Sequence, residues 1–328
     1  MKLAVTGALG HIGSAFIRTL AGRQYDEVLL IDNLMGERYS SLFDLPRDVP
    51  FRFVQADIRH ANLEDLFRGF DTVLHLAAIT NAAESFDIAD LVHDVNYSGT
   101  VRVAEACRRT RSRLLFLSTT SIYGTQLEVV DEECPASELK PQSPYAQSKL
   151  SAEGYLTGLH AQGLEFMTVR FGTVFGKSIG MRFHTAINKF CWQASVGQPI
   201  SVWRTALHQR RPYLHVGDAV RAMHLILGWD RFDGQIYNVV TSNATVNDIV
   251  EILKDQIPDV RVDFVDSKIM NQLSYTVLAE KFRRRGFKFQ GDLRSGVIET
   301  LDLLKALQYP GRRFDSAGFD CALAVHSG

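Results

Sequence analysis

Short, almost continuously apolar runs alternate with helix-period segments through the first half of this chain, and that alternation constrains its fold more than any other feature. The runs are Leu3–Thr6, Val28–Ile31, Phe51–Val54, Thr72–Leu76, Leu114–Leu117 and Phe166–Arg170. The helical stretches fall near Ile12–Ala21, Leu63–Phe67, Val95–Arg109 and Tyr145–His160. Strands separated by helices form βαβ units, which predict a mostly parallel sheet with helices on both faces. The run Val28-Leu29-Leu30-Ile31 is apolar at every position rather than at alternate ones, as suits a strand buried on both sides. The expected class is α/β with a doubly wound parallel sheet.

After Gly176 the rhythm changes. A helix-period stretch at Phe183–Ser195 precedes a strand-like Ile200–Trp203, and Arg210–Val220 leads into a helix ending near Gly228. Then come Ile236–Val240, a helix opened by Thr245 or Asn247, an apolar alternation at Val260–Val265 and a final helix around Val297–Leu307. This pattern predicts a sheet domain over residues 1–176 and a smaller, mainly substrate-binding lobe over 177–328, interleaved with the sheet. The tail Phe314–Gly328 has little periodicity and is expected to be a loose appendage.

Composition excludes several classes. Lys and Arg total 36 against 37 Asp and Glu, a net charge of −1, so the basic surplus of a nucleic-acid binder is missing. No apolar run approaches the length of a membrane span, and Met1-Lys2 passes straight into a strand. A cytoplasmic protein without a signal peptide is expected. Cys107, Cys134, Cys191 and Cys321 are scattered with no CxxC, which reads as reduced thiols. Histidines and acids are too dispersed for a metal site.

Gly7, Gly10 and Gly13 fall between the first strand and the first helix, in TGALGHIG. A glycine-rich turn at that place lets backbone N–H groups approach a pyrophosphate. The spacing departs from the commoner GxGxxG, and alone it reads equally as a tight strand–helix turn. Asp32, closing the second strand, changes the balance. A carboxylate there accepts hydrogen bonds from adenosine ribose hydroxyls and repels a 2′-phosphate, which selects NAD over NADP. Asp57 and Ile58, after the third strand, are placed either at the adenine edge or as a routine strand-end cap.

Tyr145 and Lys149 stand four apart in SPYAQSKL, on one face of a helix that Ser143 caps and Pro144 opens. A nearby ammonium favours the phenolate, so Tyr145 is a candidate general base or acid and Lys149 its tuner. Thr119, in LSTTSIYG, closes a central strand, where open α/β sheets bind ligands. It is placed to orient a substrate hydroxyl or carbonyl toward Tyr145. His184 and His215 read as structural, and Trp192 and Trp203 as packing residues.

TGALGHIG, Asp32, His75–Ala78, Asn96 in VNYSGT, STTSIYG, YAQSK, RFGTVFG and RRPYLHVGD together resemble the extended short-chain dehydrogenase/reductase superfamily. The likeness is closest to its nucleotide-sugar epimerases and dehydratases and covers nearly the whole chain. It implies a Rossmann-type fold, NAD as cofactor, a nucleotide-sugar substrate and a homodimer. It implies a catalytic triad of Thr119, Tyr145 and Lys149, and a pyrophosphate turn of Gly7, Gly10, His11, Ile12 and Gly13. Asp32 and Asn33 would face the ribose, and Asp57 and Ile58 the adenine. Leu76, Ala77, Ala78 and Asn96 would line the rest of the dinucleotide, with Tyr145, Lys149 and Phe171 beside the nicotinamide. Thr80, Thr119, Thr173 and Arg211 would meet the substrate. The dimer would pair two helices through Val95, Val101, Val103, Ala106, Leu150, Tyr155 and Leu156.

Departures from the family pattern narrow the reaction. Thr120 and Ser121 stand where 4,6-dehydratases place Asp and Glu, and no Cys occurs at 118–121. Thr173 replaces the usual Asn, and the late nucleotide-gripping pattern is not evident in SKIMNQLSY. The expected activity is an NAD-dependent nucleotide-sugar 4-epimerase working through a transient 4-keto sugar. The alternative is a 4-dehydrogenase that releases the keto sugar. Behind both stand a 4,6-dehydratase and a non-catalytic dinucleotide-binding regulator.

Overall fold

A computed structural model describes residues 1–124, 127–265 and 274–307. The tail at 314–328 and most of the SKIMNQLSY segment lie outside the described residues. In chain order the strands are β1 (Lys2–Thr6), β2 (Glu27–Asp32), β3 (Phe51–Gln55), β4 (Thr72–His75), β5 (Arg113–Thr119), β6 (Val129–Val130) and β7 (Phe166–Phe171). Then follow β8 (Thr173–Phe175), β9 (Ile200–Trp203), β10 (Arg210–His215), β11 (Asp233–Val239), β12 (Ser242–Thr245), β13 (Val262–Val265) and β14 (Thr276–Val277). The helices are α1 (His11–Ile17), α2 (Leu63–Phe67), α3 (Ala89–His93), α4 (Gly99–Thr110), α5 (Pro144–His160), α6 (Ala186–Ser195), α7 (Val216–Leu227), α8 (Val246–Gln256), α9 (Glu280–Arg284) and α10 (Leu293–Leu303).

Seven strands form one parallel sheet in the order β11-β7-β5-β4-β1-β2-β3, as a Rossmann-type fold requires. Successive residues of a strand face opposite cores. Leu3 and Val5 point with Leu30 and Val169 into the layer under α1 and α7. Ala4 points with Leu29, Ile31 and Phe116 into the layer that holds Val103 of α4 and Leu156 of α5. The chain winds outward from β1 to β3, then returns to β4 on the other side of β1. That reversal opens a crevice at the carboxyl ends of the strands, where such sheets bind ligands.

The lobe has its own core, in which Ile187 and Phe190 of α6, Ile249 and Leu253 of α8 and Val297 of α10 pack beside Tyr213 of β10. Its three-stranded sheet runs β12-β10-β8. β11, late in the chain, pairs in parallel with β7 at the edge of the large sheet. Among the described residues, no helix is long and apolar enough to cross a membrane.

Three expectations need correction. The first helix stops at Ile17 rather than Ala21, because the Thr19 hydroxyl and amide both bond the Phe16 carbonyl that Leu20 would need to continue it. The stretch expected at Val95–Arg109 is one helical run from Ala89 to Thr110, interrupted by a π-turn at Asp94–Ser98. Finally, Val95, Val103, Ala106 and Leu156 are buried inside the protomer. They serve its own core and are not available to a partner.

Candidate active site

The crevice deepens into a cleft of about 460 Å³ between the sheet and the lobe. Of the expected residues, Ile12, Leu76, Ala78, Thr80 and Phe171 line it from the sheet side, and Thr173 and Arg211 from the lobe. Thr119, Tyr145 and Lys149 meet on one wall. Among the described residues no Asp or Glu lines the cleft, whereas Lys149, Arg182, Lys189 and Arg211 do.

Local sequence explains how the wall forms. Ser143 caps α5 by accepting the Ala146 N–H at 3.2 Å, with Pro144 in the first turn. Tyr145, Lys149 and Glu153 then recur every four residues along the helix. The Lys149 ammonium donates to the Leu117 carbonyl at 2.8 Å and lies 4.8 Å from the Phe116 ring centre. Burial lowers its pKa to about 7, with the charge of Glu153 opposing. Thr119 ends β5; its hydroxyl oxygen accepts the Ser121 N–H at 3.1 Å, and the same side chain acts on the Tyr145 phenol to lower its pKa.

The charge balance at Tyr145 differs from the expectation. Burial raises its pKa, and the two influences pulling it back are the Thr119 side chain and the positive charge of Arg182. Arg182 was not singled out from the sequence, because RFGTVFGKSIGMR has no periodicity that marks it. Lys149 lines the same wall and is bonded to the Leu117 carbonyl of β5. Glu153, whose charge acts on Lys149, belongs to a buried network in which Arg170 binds it through Nη2 at 2.6 Å and Nε at 3.1 Å. Arg170 Nη1 also donates to the Tyr123 hydroxyl at 2.8 Å, which donates to Asn238 at 3.0 Å.

The glycine turn is built as a cradle. Gly7 has φ +66°, and a Cβ there would lie 2.5 Å from the Ala77 nitrogen. Gly10 differs: an added Cβ would meet only the Gly7 carbonyl, at 3.4 Å. The protein itself leaves room for a side chain at Gly10, so its smallness suits the approach of a ligand. Asp32 accepts the Leu9 N–H at 3.1 Å and the Leu34 N–H at 2.9 Å, which ties the turn to the end of β2. This donor and acceptor set fits a dinucleotide with a free 2′-hydroxyl.

Other expected contacts are supports. Asn96 is fully buried and clamps Ile79, accepting its N–H and donating to its carbonyl, each at 2.8 Å. It therefore braces the loop after β4 instead of facing the cleft. Asp57 is gripped by Arg59 at 2.9 and 3.0 Å and by Asn33 at 3.0 Å, and the Arg59 guanidinium holds its carboxyl well below the usual range. His11 bonds the Gly176 carbonyl at 2.9 Å, and burial pushes its pKa down to about 3. His215 caps α7 by accepting the Gly217 N–H at 3.2 Å, a structural role as expected. His184 and Trp203, by contrast, both reach the cleft.

Known proteins share the fold and the family. The chain is 29% identical over 269 residues to the uncharacterized UDP-glucose epimerase YtcB of Bacillus subtilis (strain 168), covering 78% of this chain and 82% of that protein. Its fold superposes with a TM-score of 0.83 on DesIV, the dTDP-glucose 4,6-dehydratase of Streptomyces venezuelae solved with NAD and TYD. That match has 27% identity and covers 93% of this chain and 97% of the other. The NAD complex of the UDP-glucose 4-epimerase of Thermus thermophilus gives a TM-score of 0.80 at 26% identity, covering 93% and 99%. The model of the NAD dependent epimerase/dehydratase family matches residues 3–239. With a Rossmann-type sheet, a glycine cradle and Asp32 in place, the chain belongs to that family, and NAD is its cofactor.

Proposed function

We propose that the protein is an NAD-dependent nucleotide-sugar 4-epimerase. The observation that carries this reading is the chemistry of the cleft: the Tyr145 phenol beside the Thr119 hydroxyl, four cations and no carboxylate among the described lining residues. Eliminating water from a sugar needs an acid and a base besides the phenol, and Thr120 and Ser121 supply neither. Proton transfer at a single carbinol carbon needs only the phenol. The cations suit a diphosphate-linked substrate.

The residues divide the work. Tyr145 removes the proton of the C4 hydroxyl and later returns it to the keto oxygen, while Thr119 holds that oxygen toward the phenol. Arg182 holds positive charge near the pair, Lys149 braces the same wall through β5, and Phe171 lines the cleft beside them. Arg211 and Thr173 meet the substrate from the lobe. Gly7, Gly10, Ile12, Gly13 and Asp32 hold the dinucleotide. Bound NAD supplies reversible hydride acceptance at C4. The 4-keto sugar then has to turn over within the cleft, so that hydride would come back to C4 on its opposite face while Tyr145 returns the proton to the oxygen.

Purified protein incubated with UDP-glucose, UDP-glucuronic acid, UDP-N-acetylglucosamine and dTDP-glucose in turn tests the reading. One of them should reach an equilibrium of C4 epimers, seen by proton NMR. A 4-keto sugar as the sole product would show a dehydrogenase, and a 4-keto-6-deoxy sugar a dehydratase.

Two expectations concern the cofactor. NAD should bind more tightly than NADP, because the Asp32 carboxylate repels a 2′-phosphate. Asp32→Ala should narrow that preference, measured by fluorescence titration. Gly10→Ala should leave stability within about 0.5 kcal/mol, since no atom of the protein crowds a Cβ there, yet weaken NAD binding at least ~10-fold. Thermal melts and NAD titration read the two halves separately.

A further inference from the structure

Residues 176–185, between β8 and α6, lie across the glycine turn. Beyond the His11 bond to Gly176, the Gly180 N–H donates to the Ser14 hydroxyl at 2.8 Å. A Cβ on Gly180 would sit 2.4 Å from the Leu9 oxygen and 2.6 Å from the Gly10 oxygen, so the two backbones touch. Asn188 of α6 anchors this strap from behind. It accepts the Gly176 N–H at 3.3 Å and donates to the Arg182 carbonyl at 2.9 Å.

The strap carries Arg182 into the cleft. Its Nε is buried and has no hydrogen-bond partner. Its charge acts on His11 in the turn, on Tyr145 and, repulsively, on Arg38 from the loop after β2. Arg38 in turn has Asp32 as its acidic neighbour. Two guanidinium groups in a desolvated space repel each other, and an anion between them relieves both. The charge of Asp32 reaches Arg38, that of Arg38 reaches Arg182 and that of Arg182 reaches Tyr145, while both arginines act on His11 in the glycine turn. A dinucleotide with its ribose at Asp32 and its nicotinamide at Tyr145 places its pyrophosphate between the two arginines.

We propose that the strap at 176–185 closes over the bound dinucleotide and that Arg182, with Arg38, neutralises its pyrophosphate, so NAD leaves only when the strap lifts. The inference rests on NAD as cofactor and not on the epimerase reading. Cofactor retention and sugar product are measured separately, so either can fail alone. An enzyme that reuses one NAD in every turnover gains from such a closure.

The test follows release of labelled NAD from the full-length protein into excess unlabelled NAD. Arg182→Met should release NAD roughly 10- to 100-fold faster than wild type, the scale of one lost charge-assisted hydrogen bond. Ser14→Ala, which removes the acceptor of the Gly180 N–H and leaves both arginines in place, should also accelerate release. Lys189→Met removes one positive charge from the same cleft outside the strap and should not change it. Melting temperatures confirm that each variant is folded. Wild-type release from Arg182→Met overturns the proposal, as does equal acceleration by Lys189→Met. Unchanged release combined with weakened UDP binding also overturns it, since the guanidinium would then serve the substrate's diphosphate.

Discussion

Tyr145→Phe is expected to lower turnover at least ~100-fold, the usual scale for a positioned acid–base group, while the protein keeps its NAD. The substitution removes the proton acceptor and preserves the ring in the cleft wall. Burial raises the Tyr145 pKa above its ordinary value, and the Thr119 side chain and the Arg182 charge pull it down. The sign of the pH effect follows. Turnover should rise with pH as the phenol ionises. Arg182→Met, which removes a cation, should move that limb to higher pH, and so should Thr119→Val. Steady-state rates against pH for the three variants check the order. A Tyr145→Phe enzyme with near-wild-type turnover would leave YAQSK as a helix face and nothing more.

The largest stability effect is expected from Arg170→Met. The Arg170 and Glu153 side chains are each 4% exposed, so removing the guanidinium leaves a carboxylate buried without its counter-ion. Breaking one partner of such a pair costs roughly 3–5 kcal/mol. Urea unfolding should show the loss in the midpoint at an unchanged slope. The double variant Arg170→Met, Glu153→Leu should recover most of it, because no unpaired charge remains. Glu153 is also the group that opposes the loss of charge from Lys149. The single variant should therefore reduce activity as well, even though Arg170 itself does not line the cleft.

How much of this was legible in the sequence depends on how local each signal is. The parallel strands were, because burial on both faces makes runs such as Val28–Ile31 apolar throughout. Tyr145 and Lys149 were, because helical spacing alone puts them on one face. Glu153 continues the same spacing, so it was within reach of that argument. Its partner Arg170 was not, since the pairing of α5 with β7 is a tertiary fact. The strap left no trace either: its contacts join Gly180 to Leu9 and Gly10 of the glycine turn and to the Ser14 hydroxyl, all far away in the chain. Residues near the expected dimer surface misled for a related reason. A helix that is apolar on a broad face does not declare whether Val103 or Leu156 meets its own sheet or a second protomer. Asn96 sits in a recognisable motif, yet only the fold reveals that its amide is engaged by Ile79.

The most direct test of the account is the fate of the C4 hydrogen. A nucleotide sugar turned over by the protein, prepared with deuterium at C4, should give an epimer that still carries deuterium at C4, with no reduced cofactor accumulating in solution. That result requires the hydride to leave and return within one closed cleft. Deuterium lost from the sugar and recovered in released NADH, with a keto sugar as product, would contradict it.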